Sequence, residues 1–387
     1  MIQAATASIV PSESEAGGRE VVEELLDVLG ASPDLVLLFA SAEHPTAKVT
    51  AGARKRLGPQ VPLIGCSSFA EVGDEEALTR SVTAVGLRSS QVRFQGARVA
   101  DASTDAHAAG RELGLALRPS APRVVVVLHD GLRVNNTQLA RGLQEVLGPE
   151  TVIVGGGAGD RGDFTGTHQI FNDEILSGGA VAVGLCGDVQ AVTAAQSGWI
   201  PIGATHTVTK VTNGNVLLEL GGRSALSLYK EYLGEKVASL GTVTVAHPLG
   251  IVGGIDGLPT LPGEPVQLLR TVVGVDEASQ SLIFTGEIPI GAQVRFTMTT
   301  PEDVIAAAAQ VTEQALAQMP DPSLALFFNC MARKLVLGAL YRDELRAPLR
   351  RLRGIPRAGL YTYGELAPVH GTAMCHNETC VLALIKA

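Results

Sequence analysis

The sequence predicts an α/β fold, mixed α+β in detail, with two domains whose sheets are flanked by helices and built from repeated α-β-α-β-β units. Three observations predict it. Short apolar runs recur at 34–41 (DLVLLFAS), 61–66 (VPLIGC), 123–128 (RVVVVL), 151–154 (TVIV), 179–185 (GAVAVGL) and 324–329 (LALFFN). Runs of that length, bounded by turn residues, read as buried strands. Amphipathic stretches of helical period separate them, and the same order of elements returns three times at similar spacing.

The first unit runs helix 16–30, strand 34–41, helix 45–58, strand 61–66 and strand 81–87, with Val21, Val22, Leu25, Leu26 and Leu29 on one helical face. The second runs helix 103–118, strand 123–129, helix 135–148, strand 151–154 and strand 179–185. Residues 189–220 alternate as antiparallel strands do, and Asn213-Gly214 between VTKVT and NVLLEL is a hairpin signal. Gly221-Gly222 interrupts the chain before a helix at 223–234, which sets the domains at 1–221 and 222–387. Segment 248–265, rich in Gly and Pro, reads as ordered loop, and 266–275, 281–285 and 293–299 as strands. The third unit runs helix 302–317, strand 323–329, helix 333–352, strand 358–363 and strand 380–385. Pro301 suits the first turn of its helix and Thr300 the cap.

Composition narrows the function. Aromatics are only 4% of 387 residues while hydrophobics reach 46%, so the core is aliphatic. A net charge of −9 opposes nucleic-acid binding, which needs a basic footprint. Arg333, Lys334, Arg342, Arg346, Arg350, Arg351, Arg353 and Arg357 nevertheless crowd one region, as a solvated helix face or as an interaction surface. The five cysteines form no CxxC pair, which fits reduced thiols in the cytoplasm rather than a disulfide scaffold. No apolar run is long enough to span a bilayer, so no membrane insertion is expected. There is no HExxH, Walker or GxSxG pattern, and no metal or cofactor is expected.

Candidate site residues come from the polar turns that follow the fourth element of each unit, since strand ends carrying such turns are common ligand sites. These turns are Gly65-Cys66-Ser67-Ser68, Gly155 to Asp160, and Tyr361 to Glu365. Gly157 offers a close backbone approach. Arg333 has the planar fork that suits a carboxylate. Glu365 and Asp160 suit an ammonium group. Tyr363, Asn377 and His376 would orient the ligand, and Cys330, Cys66 and Ser67 would line the wall. A catalytic alternative uses Cys330 as nucleophile and His376 as base, oriented by Asn377 or Glu365. A third reading is an interaction module without a ligand.

The chain also resembles the FIST family, in both its N-terminal and C-terminal domains. The likeness runs through Gly65-Cys66-Ser67, the Gly155–Asp160 stretch with Phe164, Thr167 and Gln169-Ile170-Phe171, and Gly198-Trp199-Ile200-Pro201-Ile202-Gly203. It continues through Tyr229-Lys230-Glu231-Tyr232-Leu233-Gly234, His247-Pro248-Leu249-Gly250 and Ser281 to Gly286. It closes on Cys330-Met331-Ala332-Arg333, Tyr361-Thr362-Tyr363-Gly364-Glu365 and His376-Asn377-Glu378-Thr379. The resemblance implies a stand-alone small-molecule sensor rather than an enzyme. Its expected ligand is an amino acid or similar small carboxylate, and a separate signalling protein would carry the output.

Overall fold

The computed structural model describes residues 2–234, 245–255 and 268–387. Three units of like topology build most of it. The first comprises strand Gln3–Ile9, helix Ser14–Leu29, strand Leu35–Ser41, helix Thr46–Leu57, strand Leu63–Ser68 and strand Val82–Arg88. The second comprises Arg93–Val99, helix Ala106–Leu117, Pro122–Asp130, helix Asn136–Leu147, Val152–Ala158 and Ala180–Cys186. The third comprises Gln190–Gln196, helix Pro301–Gln318, Leu324–Cys330, helices Met331–Leu337 and Tyr341–Arg351, Arg357–Thr362 and Cys380–Lys386. In each, the first strand pairs antiparallel with the last, the last antiparallel with the second, and the second parallel with the third.

The repeat is thus the predicted α-β-α-β-β unit preceded by an edge strand. Sequence patterning passed over those edge strands because QAATASI and RFQGARV are only half-buried and lack a continuous apolar run.

The units interlock cyclically. Between its third and last strands, each sends out a hairpin that joins a neighbour's sheet. Glu71–Val72 pairs with Arg357–Thr362, Gln169–Phe171 with Leu63–Ser68, and Glu365–Val369 with Val152–Ala158. The result is three six-stranded sheets around a shared core. Phe39, Ile64, Leu128, Val154, Phe328 and Leu360, drawn from all three, pack into one buried cluster. The opposite face of each sheet is covered by its own helices. Strands buried on both faces explain the near-continuous apolar runs.

The helices begin where their caps predict. Asp105 and Asn135 accept from backbone N–H groups of their first turns, and Thr300 does so ahead of Pro301.

The third unit is interrupted by a fourth, wholly antiparallel sheet built from strands between Ile200 and Met298. Asn213 and Gly214 turn its first hairpin, both with positive φ, as the dipeptide predicted. The domain limits of 1–221 and 222–387 do not separate sheets: this sheet, and two of the six-stranded ones, draw strands from both sides of residue 222.

Three readings need correction. The single helix expected at 333–352 is two helices, broken at Gly338, whose φ of 54° leaves the helical region. Within the expected loop 248–265, Leu249–Gly253 is a strand; residues 256–265 lie outside the described residues. Finally, the strands expected to stop at 66 and 154 continue to Ser68 and Ala158, so Ser67, Ser68 and residues 155–158 belong to strand ends rather than turns. No described helix is long and apolar enough to cross a membrane.

Candidate ligand site

Register makes the three units comparable residue by residue. Their parallel strand pairs end at matching couples: Ser41 beside Ser68, Asp130 beside Ala158, and Cys330 beside Thr362. The exchanged hairpins begin at matching residues too, with Glu71 opposite Leu360, Gln169 opposite Cys66 and Glu365 opposite Gly156. Each of these side chains latches the loop that leads into its unit's last strand. Glu71, Gln169 and Glu365 accept the backbone N–H of Ser81, Gly179 and Thr379 respectively, each at 3.3 Å. The Ser68 hydroxyl donates to Glu71 and the Thr362 hydroxyl to Glu365, while Gln169 instead donates to the Thr167 hydroxyl.

All three latch residues are fully buried. Burial pushes the Glu71 carboxyl up to about 8, against the opposing pull of the Ser68 and Ser81 hydrogen bonds, and pushes Glu365 well up. Burial thus favours the neutral form of both acids, the form that the amide at position 169 imitates.

The residue before each latched N–H is left-handed: Arg80 (φ 57°), Gly178 (φ 78°) and Glu378 (φ 54°). Side chains are uncommon in that conformation. One backbone site thus carries a cation in unit one, nothing in unit two and an acid in unit three.

In unit one the strand end is open. Ser41, Glu43, Ser68, Phe69, Thr79, Arg80, Arg161 and Lys334 line a cavity of 230 Å³. The Lys334 ammonium lies 4.4 Å from the Phe69 ring centroid and 4.9 Å from that of Tyr341. Burial lowers its pKa, and the Glu71 carboxyl opposes that shift. Arg161 is delivered by a loop folded around Asp160. That carboxylate accepts the N–H groups of Gly162, Phe164, Thr165 and Gly166, and the Tyr363 hydroxyl at 2.5 Å. Burial opposes ionisation of Asp160, but these bonds outweigh it and hold the carboxyl below its usual range.

In unit two the strand end is closed. Asp130 is consumed by the N–H groups of Leu132, Arg133 and Gly178. In unit three it is packed against the inserted sheet. Glu378 accepts the Thr271 hydroxyl at 2.8 Å, Asn377 accepts from Thr285, and the cluster of Cys330, Met331 and Ala332 packs against Phe69, Tyr363 and Val245.

The predicted residues fall into three groups. Asp160 and Tyr363 meet directly, and their pairing shapes the loop beside the cavity. Cys330 and Glu365 also come near each other, the thiol favouring the ionised carboxyl, yet inside a packed interior. Burial, then Glu365 and Glu378, push that thiol well up, which suppresses the thiolate that the catalytic alternative requires.

None of the remaining residues lines the first unit's cavity. Arg333 is fully buried and pairs with Glu344 at 2.6 Å; its other nitrogens bond the carbonyls of Ser197, Glu378 and Val304. The carboxylate that its fork grips is the chain's own. Gly157 is equally committed: its N–H bonds Gly364, its carbonyl accepts from Tyr363, and a Cβ there would lie 2.5 Å from the Tyr363 oxygen. Cys66 points into the central core. The Ser67 hydroxyl bonds the Gly159 carbonyl at 2.8 Å. His376 is buried, with Nε2 3.2 Å from the Ala367 carbonyl.

Sequence reasoning missed Ser41, Ser68, Arg80, Arg161 and Lys334 as a group. The signal was available in the repeat: superposing the units puts Arg80 where Glu378 stands, and the open cavity at the position equivalent to the one proposed around Cys330. Among the described residues, no three His, Cys, Asp or Glu side chains are grouped to hold a metal ion.

The sequence model of the FIST N domain matches residues 34–223, and that of the FIST C domain matches residues 225–368. The chain belongs to the FIST family. FIST domains act as small-molecule sensory modules that signal to partners, generally without catalysis. The uncharacterized protein Rv0628c of Mycobacterium tuberculosis is 28% identical over 396 residues, covering 97% of each chain. The uncharacterized protein Mb0898c of Mycobacterium bovis is 27% identical over 376 residues, covering 92% of each. Among solved structures, a cyanuric acid hydrolase from A. caulinodans aligns with 48% of this FIST chain and 71% of its own, at a TM-score of 0.28 and 13% identity. PurL of T. maritima complexed with FGAR covers 99% of this chain and 72% of its own, at a TM-score of 0.25 and 9% identity. Scores this low transfer neither fold nor chemistry.

Proposed function

We propose that this FIST protein senses an amino acid or similar small carboxylate, bound at the open strand end of the first unit. The observation that supports this most is charge. Lys334, Arg80 and Arg161 converge on one cavity that holds a single acid, Glu43, in a chain of net charge −9. Cations gathered against the overall sign select an anionic ligand. A carboxylate would sit between Lys334 and the arginines. An ammonium group would face Glu43, and the hydroxyls of Ser41 and Ser68 would fix orientation from the floor. The volume of 230 Å³ falls below the roughly 300–1,000 Å³ of drug-sized pockets, which suits a metabolite of a few carbons.

The site residues expected from sequence take supporting parts in this proposal. Asp160 and Tyr363 hold the Arg161 loop. Ser67 anchors the same loop at Gly159, and Glu365 latches the third unit. A thermal-shift screen of the amino acids and small mono- and dicarboxylates tests it. A carboxylate ligand should raise the melting temperature of the wild type and have a clearly smaller effect on Arg80→Gln. A ligand that stabilises both proteins equally would place binding elsewhere.

A further inference from the structure

We infer that the arginine face of helix Tyr341–Arg351, with the neighbouring exposed leucines, docks an acidic, leucine-bearing segment of a partner protein. This rests on the sensor reading for the need of a partner, but the surface is defined without reference to the ligand.

Arg342, Arg346, Arg350, Arg351 and Arg353 are all exposed, whereas Leu345, Pro348 and Leu349 face the core. Steps of four along Arg342, Arg346 and Arg350 place them on one helical stripe. The helix's own Glu344 is withdrawn to the buried side, where Arg333 holds it. Three of the arginines make ion pairs, Arg342 with Glu76, Arg346 with Asp343 and Arg351 with Glu313, all between solvent-exposed side chains. Such pairs contribute little, and an incoming carboxylate can replace them. Arg350 and Arg353 have no ion pair among the described residues.

Leu335 and Leu340, 39% and 43% exposed, stand just before this stripe. Exposed leucines followed in the chain by a stripe of exposed arginines match the composition of a docking patch. Charge complementarity selects the occupant. With −9 on the whole chain, an acidic segment is repelled by the remaining surface and steered to this one face.

The face also adjoins the proposed site. The Tyr341 ring opens the helix and is shared by two cations, Lys334 of the cavity at 4.9 Å and Arg342 of the stripe at 5.3 Å. A ligand that draws Lys334 toward its carboxylate weakens one of these contacts and so biases the docking face. By linkage, the partner biases ligand affinity equally.

The test uses the full chain and a fluorescent synthetic helical peptide of Glu, Leu and Ala, read by anisotropy at physiological salt. Its comparators are the same peptide with Leu replaced by Ser and a duplex DNA. Arg350→Glu/Arg353→Glu and Leu335→Ser/Leu340→Ser should each weaken peptide binding by about tenfold while keeping the wild-type melting curve and circular dichroism. The Ser peptide should bind more weakly than the Leu peptide, and the duplex more weakly still. Wild-type affinity in both variants, equal binding of the two peptides, or tighter binding of the duplex would overturn the inference. So would self-association of the chain through this face, seen by sedimentation and lost in Arg350→Glu/Arg353→Glu. Failure of the sensor reading shows differently: no carboxylate binds the chain, yet the peptide still does.

Discussion

The first and third units end their parallel strands on the same backbone and use it in opposite ways. At the first, Ser41, Ser68 and Arg80 face a cavity with Lys334 and Arg161. At the third, Cys330, Thr362 and Glu378 are packed, and the inserted sheet supplies Thr271 and Thr285 as partners. The residue three positions past the strand couple shows the contrast best. His44 bonds the Arg80 carbonyl at 3.0 Å through one ring nitrogen. Its counterpart Arg333 bonds the Glu378 carbonyl at 3.0 Å and also ties Glu344, Ser197 and Val304. One unit has been turned into scaffold, and the other has kept an accessible strand end.

The largest effect that separates the two belongs to Arg333. Arg333→Met should lose about 3–5 kcal/mol of stability, because it leaves Glu344 buried and unpaired. The matching change in the first unit, His44→Ala, should lose only about 1 kcal/mol. Chemical denaturation reads both, and equal losses would erase the distinction between scaffold and site.

The latches give the next test. Glu71 has its folded pKa raised to about 8, above an unfolded value of about 4.3. Its contribution to stability is therefore complete below the unfolded value and is lost as pH rises through about 8. Between pH 5 and 8 the wild type should lose stability, and Glu71→Gln should lose less, since its amide imitates Gln169. A variant with the same pH profile as the wild type would mean that Glu71 is ionised in the folded protein.

Asp160 sharpens the site side of the comparison. Asp160→Ala removes the acceptor of four backbone N–H groups, and should cost about 0.5–2 kcal/mol by analogy with lost helix caps. It should also weaken ligand binding by releasing Arg161. The smallest effect concerns the thiols. All five cysteines are buried, so native protein should react with iodoacetamide slowly, at a rate set by opening rather than by a low-pKa thiolate. Fast labelling of Cys330 below pH 7 would contradict this.

Much of the fold was legible because burial on both faces writes itself as apolar runs, and because the order of elements repeats. Edge strands and exchanged hairpins were not, since two- and three-residue pairings such as Glu71–Val72 leave no period to detect. The site was half legible for a related reason. Strand-end chemistry drew attention to Cys330, Arg333 and Glu365, but sequence does not say which of three equivalent ends is filled. Arg333 looks identical as a ligand clamp and as a buried strut until Glu344 is found beside it, eleven residues on. Lys334, one residue later, was absorbed into a run of basic residues in which Arg342, Arg346, Arg350 and Arg351 face solvent on a different helix, while Arg333 and Arg357 are buried.

Calorimetric titration of the wild type and of Lys334→Met with the carboxylate ligand found by screening tests the central claim most directly, because Lys334 meets the cavity and makes no salt bridge among the described residues. Affinity should fall by about tenfold or more in the variant, with the melting temperature nearly unchanged in the absence of ligand. Undiminished affinity in Lys334→Met, in a protein that melts like the wild type, would contradict the assignment of the first unit's strand end as the sensory site.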